Sequence, residues 1–362
     1  MFNLTQYGFA RGTTEDMAKF QNSADAEKLI PGRVIEMQRE LYKLVSEYGE
    51  VPAKLPGAFY HGAQAREDFP AVGDFVLFSY NSTGNSLISQ VLPRRSKFSR
   101  ADFSGHKVGY AKNIVEQIVA SNFDYVFILC SLNYDFSPAR IGRYLSASWQ
   151  SGGFPVVVLT KADLVPDYTE QVETVQAMAH EIPVIAVSSK TTLGLMELAP
   201  FLEPGKTIVF LGSSGVGKSS LLNALAGETV MEVKGIREDD SKGRHTTTHR
   251  QLVMLNTGAM VIDTPGMREL GLWNAEEGIH LSFAGVEELI ERCRFSNCTH
   301  QSELGCAVQA ALEDGSLLPE QWKRYNQQKN EAAYVESKSA FLREKALRQK
   351  SIARYNRSKM QN

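Results

Sequence analysis

From Gly32 onward the chain breaks into short apolar runs separated by turn residues: Arg33 to Met37, Leu41 to Val45, Val51 to Leu55, Gly73 to Tyr80 and Leu87 to Leu92. Runs of this length, with turns at Tyr48-Gly49, Val72-Gly73 and Thr83-Gly84, predict a small antiparallel β-barrel. Beyond about Val115 the texture changes. Near-continuous apolar runs at Tyr125 to Leu132, Pro155 to Leu159, Pro183 to Ser188, Thr207 to Leu211 and Met260 to Ile262 alternate with helical text at Ala139 to Gln150, Thr169 to Glu181 and Lys218 to Gly227. That alternation predicts a parallel α/β sheet covered on both faces. After Trp273 the pattern turns helical around a cysteine cluster and ends in a Gln-, Lys- and Arg-rich tail, while residues 1 to about 30 show no sustained period. The expected organisation is therefore an extension over 1–31, a barrel over 32–112, the α/β domain over 113–273, a small module over 274–322 and a basic helical or disordered tail over 323–362.

At 362 residues the chain is too long for one ordinary core, which agrees with a multidomain reading. The formal charge of −2 hides an asymmetry, because a C-terminal run from Lys323 to Lys359 is strongly basic and is opposed only by Glu331, Glu336 and Glu344. There is no apolar run of roughly 18 residues and no leader-like N-terminus, so a cytoplasmic protein without a membrane span is expected.

The run Thr207 to Leu211 leads straight into Gly212, Ser213, Ser214, Gly215, Val216, Gly217, Lys218 and Ser219, then into the helical text opened by Ser220. Strand, glycine-rich loop and helix in that order form a P-loop. The backbone N–H groups and the helix N-terminus cradle phosphates, Lys218 reaches the outer phosphates and Ser219 ligates Mg²⁺. Guanine is selected by Thr160-Lys161-Ala162-Asp163 at the end of the preceding apolar run, since a carboxylate at Asp163 accepts from the guanine N1–H and amino group, which adenine cannot match. Lys161 can lie over the base, and Ser188, Ser189 and Lys190 fit the loop that backs it. Asp263-Thr-Pro-Gly266 ends the last strand, with Asp263 in the Mg²⁺ shell and the Gly266 N–H facing the γ-phosphate. Between this segment and the P-loop, Thr247 or Thr248 offers the hydroxyl that completes Mg²⁺ coordination.

In ordinary GTPases the P-loop comes first and the guanine box later; here the guanine box and the Ser188 loop precede it, so the order is circularly permuted. Site residues drawn from loops at one sheet edge tolerate such reordering. A second departure is Met267 after the Asp263 segment, where Ras-like enzymes carry a water-orienting Gln. Met cannot orient water, and His245 beside the switch threonines is the nearest alternative. Slow hydrolysis by the isolated chain, accelerated by a partner, is expected.

Cys293-x4-Cys298-x-His300-x5-Cys306 offers three thiolates and one imidazole, a donor set for one structural Zn²⁺; redox cysteines or buried thiols are the competing interpretations. Arg94, Arg95, Lys97, Arg100, Lys107 and Lys112, interleaved with Phe98 and Phe103, suit either an RNA backbone and unstacked bases or a solvated charged face, and the basic tail suggests a second RNA contact.

Taken together, Pro70-Ala-Val-Gly-Asp74, Leu92-Pro-Arg-Arg-Ser96, Val156 to Asp163, the P-loop, His245 to Thr248, Asp263 to Gly266 and the Cys/His spacing resemble the circularly permuted GTPases of the RsgA or YjeQ family, over about Gly32 to Trp322. The resemblance implies an N-terminal OB-fold, a central GTPase, a C-terminal zinc module, a catalytic His245, and GTP hydrolysis coupled to late maturation of the 30S ribosomal subunit through contact with 16S rRNA. A monomer is expected, cycling between GTP and GDP. An RNA-binding factor without useful turnover and a metal-delivery GTPase are the two alternatives from other classes.

Overall fold

A computed structural model of the chain describes residues 3–9, 29–38, 40–62, 66–102, 115–133, 135–179, 181–231, 250–263, 283–295, 298–301, 303–319 and 321–330. The chain divides into two compact units, one of Met1–Ser99, Ile118–Tyr144 and Ser151–Glu269, the other of Arg100–Gln117, Leu145–Gln150 and Leu270–Asn362.

In the first unit, β1 (Leu29–Gln38), β2 (Leu41–Ser46), β3 (Gly49–Lys54), β4 (Phe75–Ser79) and β5 (Ser86–Val91), with a short helix α1 (Gly57–Gly62) after β3, form a closed barrel. Its strand order is β1-β2-β3-β5-β4, and β4 returns to pair with β1. Strict alternation explains the inward face: on β3, Gly49, Val51 and Ala53 are buried while Glu50, Pro52 and Lys54 face out. Val34, Tyr42, Leu44, Val76, Phe78 and Ile88 complete the barrel core. The ribbon of β6 (Lys97–Asp102) and β7 (Val115–Ser121) follows.

Next come β8 (Tyr125–Ser131), α2 (Pro138–Gln150), β9 (Phe154–Thr160), α3 (Thr169–Ala179), β10 (Val184–Ala186), β11 (Thr207–Leu211), α4 (Lys218–Ala226), β12 (Arg250–Met254) and β13 (Met260–Asp263). Strands β10-β9-β8-β11-β13 lie parallel in that order, and β12 adds an antiparallel strand beside β13. The near-continuous apolar runs arise because a parallel strand is buried on both faces; every residue of β11 is buried.

The unexpected element is β12. It pairs with β1 through Glu36 opposite Gln251 and Met37 opposite Arg250, so barrel and nucleotide sheet form one hydrogen-bonded ladder. A second surprise sits beside this junction. Arg33, fully buried on β1, donates to the carbonyls of Gly73 (3.2 Å), Asn122 (2.9 Å) and Tyr7 (2.5 Å) and to Thr207 Oγ1 (3.1 Å). Through Tyr7 it holds the helical turn Leu4–Tyr7, and Phe9 packs edge-on against Phe75. Part of the supposedly patternless extension is thereby ordered.

The second unit contains α5 (Ala284–Glu291), α6 (Ala307–Asp314) and a helical stretch over 321–330. Its core is small: Phe283, Val286, Cys306, Val308, Ala311, Leu317 and Tyr325.

Candidate nucleotide and metal sites

Neighbouring strand ends of the first unit carry the expected nucleotide-binding residues. β11 hands directly to the loop 212–217, and Lys218 opens α4. A Cβ on Gly212 would stand 2.7 Å from the Leu129 carbonyl oxygen of β8, so glycine alone lets the loop leave the strand there. Gly217, at φ 105°, makes the left-handed step into the helix. Ser214 and Gly215 are exposed; Ser213, Ser219 and Ser220 are half-buried.

The loop is pinned from two sides. Thr160, buried at the end of β9, donates from Oγ1 to the Val216 carbonyl at 2.6 Å, so the threonine at the head of the Thr160-Lys161-Ala162-Asp163 segment is tied to the glycine-rich loop. From the other side, Ser213 Oγ donates to Asp135 Oδ2 at 2.5 Å. Lys218 Nζ donates to the Gly212 and Ser213 carbonyls at 2.7 and 2.6 Å.

The guanine box is held as firmly. Lys161 adopts a left-handed φ of 61° at the start of the 3-10 turn Ala162–Leu164, and the Ala162 N–H donates to Val187 O at 3.1 Å. Asp163 is exposed, and its Oδ1 accepts from Ser188 Oγ at 2.7 Å. Ser188 Oγ in turn accepts the N–H groups of Lys190 (3.2 Å) and Thr191 (3.1 Å). Buried Ser188 thus sets the direction of the carboxylate that would read the base, beside half-buried Ser189 and exposed Lys190. Asp263 closes β13, next to the P-loop strand. Burial pushes its carboxyl above the usual carboxylate range, with the positive charge of Lys218 opposing; a divalent cation at this position would favour the ionised form.

P-loop, guanine box, Ser188 loop and Asp263 are therefore brought to one edge of the sheet. Gly266, Met267, His245, Thr247 and Thr248 lie outside the described residues.

Asp135, between β8 and α2, was not among the expected site residues. Besides Ser213 it binds Arg140 NH1 at 2.9 Å. Burial works to raise its pKa, but the bonds from Ser213 and Arg140 and the charges of Arg140 and Lys161 outweigh it and hold the carboxyl below its ordinary value. It belongs to no motif; its one sequence signal is a place just past the end of an apolar strand, where α/β sheets present site residues.

In the second unit, the ligand atoms of Cys293, Cys298, His300 and Cys306 all lie within 4.8 Å of one another. The Cys293 and Cys306 sulfurs are 3.9 Å apart, and His300 Nδ1 stands 3.5 and 3.6 Å from them. Tetrahedral zinc with bonds of about 2.3 Å to sulfur and about 2.0 Å to nitrogen requires separations of about 3.8 and about 3.5 Å, so the donor set fits. The surrounding contacts hold it in shape. Gln309 Nε2 donates to His300 O at 2.6 Å, the Gln309 N–H donates to Cys306 Sγ at 3.4 Å, and Trp322 meets the His300 ring edge-on at 5.5 Å. Glu303 accepts from Thr299 Oγ1 and from the N–H groups of Thr299 and Gln301, tying the turn between His300 and Cys306.

The expected RNA-facing run needs correction. Arg94 is largely buried and spends its donors internally, in a bidentate pair with Asp74 (2.8 and 2.7 Å) and on the carbonyls of Glu67 and Phe69. Phe98 is buried and stacked on Phe123 at 5.0 Å. Neither is available to nucleic acid. Arg95 and Lys97 remain accessible, in surface pairs with Asp124 and Glu67; the side chains of Arg100, Phe103, Lys107 and Lys112 and the tail beyond residue 330 lie outside the described residues. No helix among the described residues is long and apolar enough to cross a membrane.

Residues 91–273 match the family model for the RsgA GTPase. The ABC transporter model also matches, over residues 195–358, a span that contains the P-loop both classes use. Similar curated proteins include Small ribosomal subunit biogenesis GTPase RsgA 2 of Listeria monocytogenes serotype 4b, 43% identical over 93% of this chain and 91% of that protein. The RsgA 2 of Lactiplantibacillus plantarum is 41% identical over 92% of this chain and 90% of that protein. Among solved structures, YjeQ from Thermotoga maritima superposes with a TM-score of 0.63 at 27% identity, covering 84% of this chain and 99% of that one. YloQ, a circularly permuted GTPase, gives 0.60 at 25% identity, covering 86% and 96%.

Proposed function

The chain belongs to the RsgA GTPase family, and from that membership we propose that its GTP hydrolysis serves late maturation of the small ribosomal subunit. In this proposal it binds the 30S particle and its 16S rRNA in the cytoplasm, as a monomer, and the particle accelerates turnover. The observation that carries the nucleotide side is the bonded chain from Ser188 to Asp163 and from Thr160 to Val216, which joins a guanine reader to a phosphate loop.

Each residue then has a task. Asp163 receives the N1–H and amino group of guanine, Lys161 covers the base, and Ser188, Ser189 and Lys190 back it. Residues Gly212 to Ser220 cradle the phosphates, with Lys218 moving from the loop carbonyls to the outer phosphates. Mg²⁺ supplies charge neutralisation between the β- and γ-phosphates; Ser219, Asp263 and either Thr247 or Thr248 would hold it. Gly266 senses the γ-phosphate through its N–H, and His245 orients the attacking water that Met267 cannot. One Zn²⁺ on Cys293, Cys298, His300 and Cys306 folds the second unit. Arg95 and the basic tail are left as candidate RNA contacts.

The test is GTP turnover by the purified chain alone, with 30S subunits and with 50S subunits. Selective acceleration by 30S is expected; equal rates in all three would remove the ribosomal role and leave the GTPase standing.

A further inference from the structure

We propose that Asp135 is a positioning residue for nucleotide binding, holding the P-loop in its phosphate-receiving shape through Ser213; this rests on the GTPase reading above. The loop between Leu211 and Lys218 is intrinsically loose, because Gly212, Gly215 and Gly217 all occupy positive φ, and glycine loses more freedom on ordering than any other residue. Two side chains from outside the loop offset that freedom. Thr160 grips Val216 from the end of β9, and Asp135 grips Ser213 from the segment after β8. Ordering before the ligand arrives lowers the cost of binding it.

A carboxylate beside a polyphosphate site would ordinarily repel the ligand. Here its charge is met by Arg140 at 2.9 Å and by the Ser213 hydroxyl, so the protein keeps the stronger grip of a charged acceptor. Among the described residues Ser213 is the P-loop residue hydrogen-bonded to Asp135, and the proposed effect on the loop travels through that hydroxyl.

The full-length chain is tested as Asp135→Ala, Ser213→Ala and the double variant, with fluorescent GDP and GTP analogues for affinity and steady-state turnover for rate. Each single substitution should raise Kd for both nucleotides by about tenfold, the scale of one charge-assisted hydrogen bond. The double variant should lie within about twofold of either single, since both remove the same contact. KM should rise while kcat at saturation shifts less than about twofold, the mark of lost uniform binding. Asp135→Asn, which keeps an acceptor for Ser213, should recover most of the affinity. Additive losses, or wild-type affinity in Ser213→Ala, would overturn the proposal; the Ser213 variant keeps the test decisive if Asp135→Ala does not fold. A wild-type chain that binds neither nucleotide would instead overturn the GTPase reading, and this one with it.

Discussion

The candidate nucleotide site and the Cys/His cluster both gather polar groups, yet they do so by opposite chain geometries. The first collects residues from Asp135 to Asp263 through the ends of parallel strands; the second closes within one short stretch, Cys293 to Cys306. In the first, strand order fixes position and sequence order is free, which is why a permuted chain builds the same edge. In the second, loop spacing is the geometry. The backing differs as well. Behind the P-loop lies a large apolar cluster running from Phe127 through Phe210 and Leu221 to Val261, whereas the apolar cluster that contains Cys306 in the second unit has only the seven buried side chains named above. So small a core is marginal without a further cross-link, and structural zinc supplies on the order of 10 kcal/mol of folding free energy.

The largest expected effect follows directly. Stripping metal from the purified chain with a strong chelator should unfold the second unit, read as a loss of helical signal and of amide protection over 284–330. Affinity for a fluorescent GDP analogue should stay within about twofold, because the sheet does not depend on the metal for its core. Loss of nucleotide binding in step with the metal would break the contrast between the two sites.

A smaller effect sharpens the other side. Because Ser188 already aims Asp163, Asp163→Asn should change chemistry without disturbing the fold. The amide presents a donor where guanine also presents one, so GTP affinity should fall by about 100-fold, and xanthosine triphosphate, with an acceptor at that position, should bind better than GTP. Competition binding with the two nucleotides decides it; an unchanged preference would mean the carboxylate does not read the base.

How much of this was legible depended on whether the determinant is local. Buried parallel strands, the glycine loop and the Cys/His spacing each leave a contiguous signature, and all were expected from the chain. Residues whose role is set by a distant partner left none. Arg33 looks like an ordinary strand-edge cation, but its environment comes from Tyr7, Gly73, Asn122 and Thr207. Arg94 looked like an RNA contact because its partner Asp74 stands twenty residues earlier, at the end of the neighbouring strand. Strand β12 is five residues long and becomes a strand by docking between β13 and β1, a tertiary fact with no period to announce it. Asp135 was missed for the same reason: its meaning is the Ser213 hydroxyl.

Thr160 gives the smallest and most discriminating effect, because it bears on whether the two halves of the nucleotide site are joined or merely adjacent. Its residue is buried and its hydroxyl donates to the Val216 carbonyl, itself in a buried residue of the loop. Thr160→Val keeps the volume and the β-branch, so strand β9 should be undisturbed, but it removes the donor and leaves that carbonyl unsatisfied, at a cost of about 1 kcal/mol. GTP and GDP affinities should both drop about fivefold, an equal loss because the contact acts on the loop and not on the γ-phosphate. Thr160→Asn, which restores a donor, should return affinity to within about twofold of wild type. If valine and asparagine behave alike, the loop is held by its own backbone and the guanine box contributes nothing to phosphate binding; if only valine is impaired, base reading and phosphate gripping are parts of one preassembled edge.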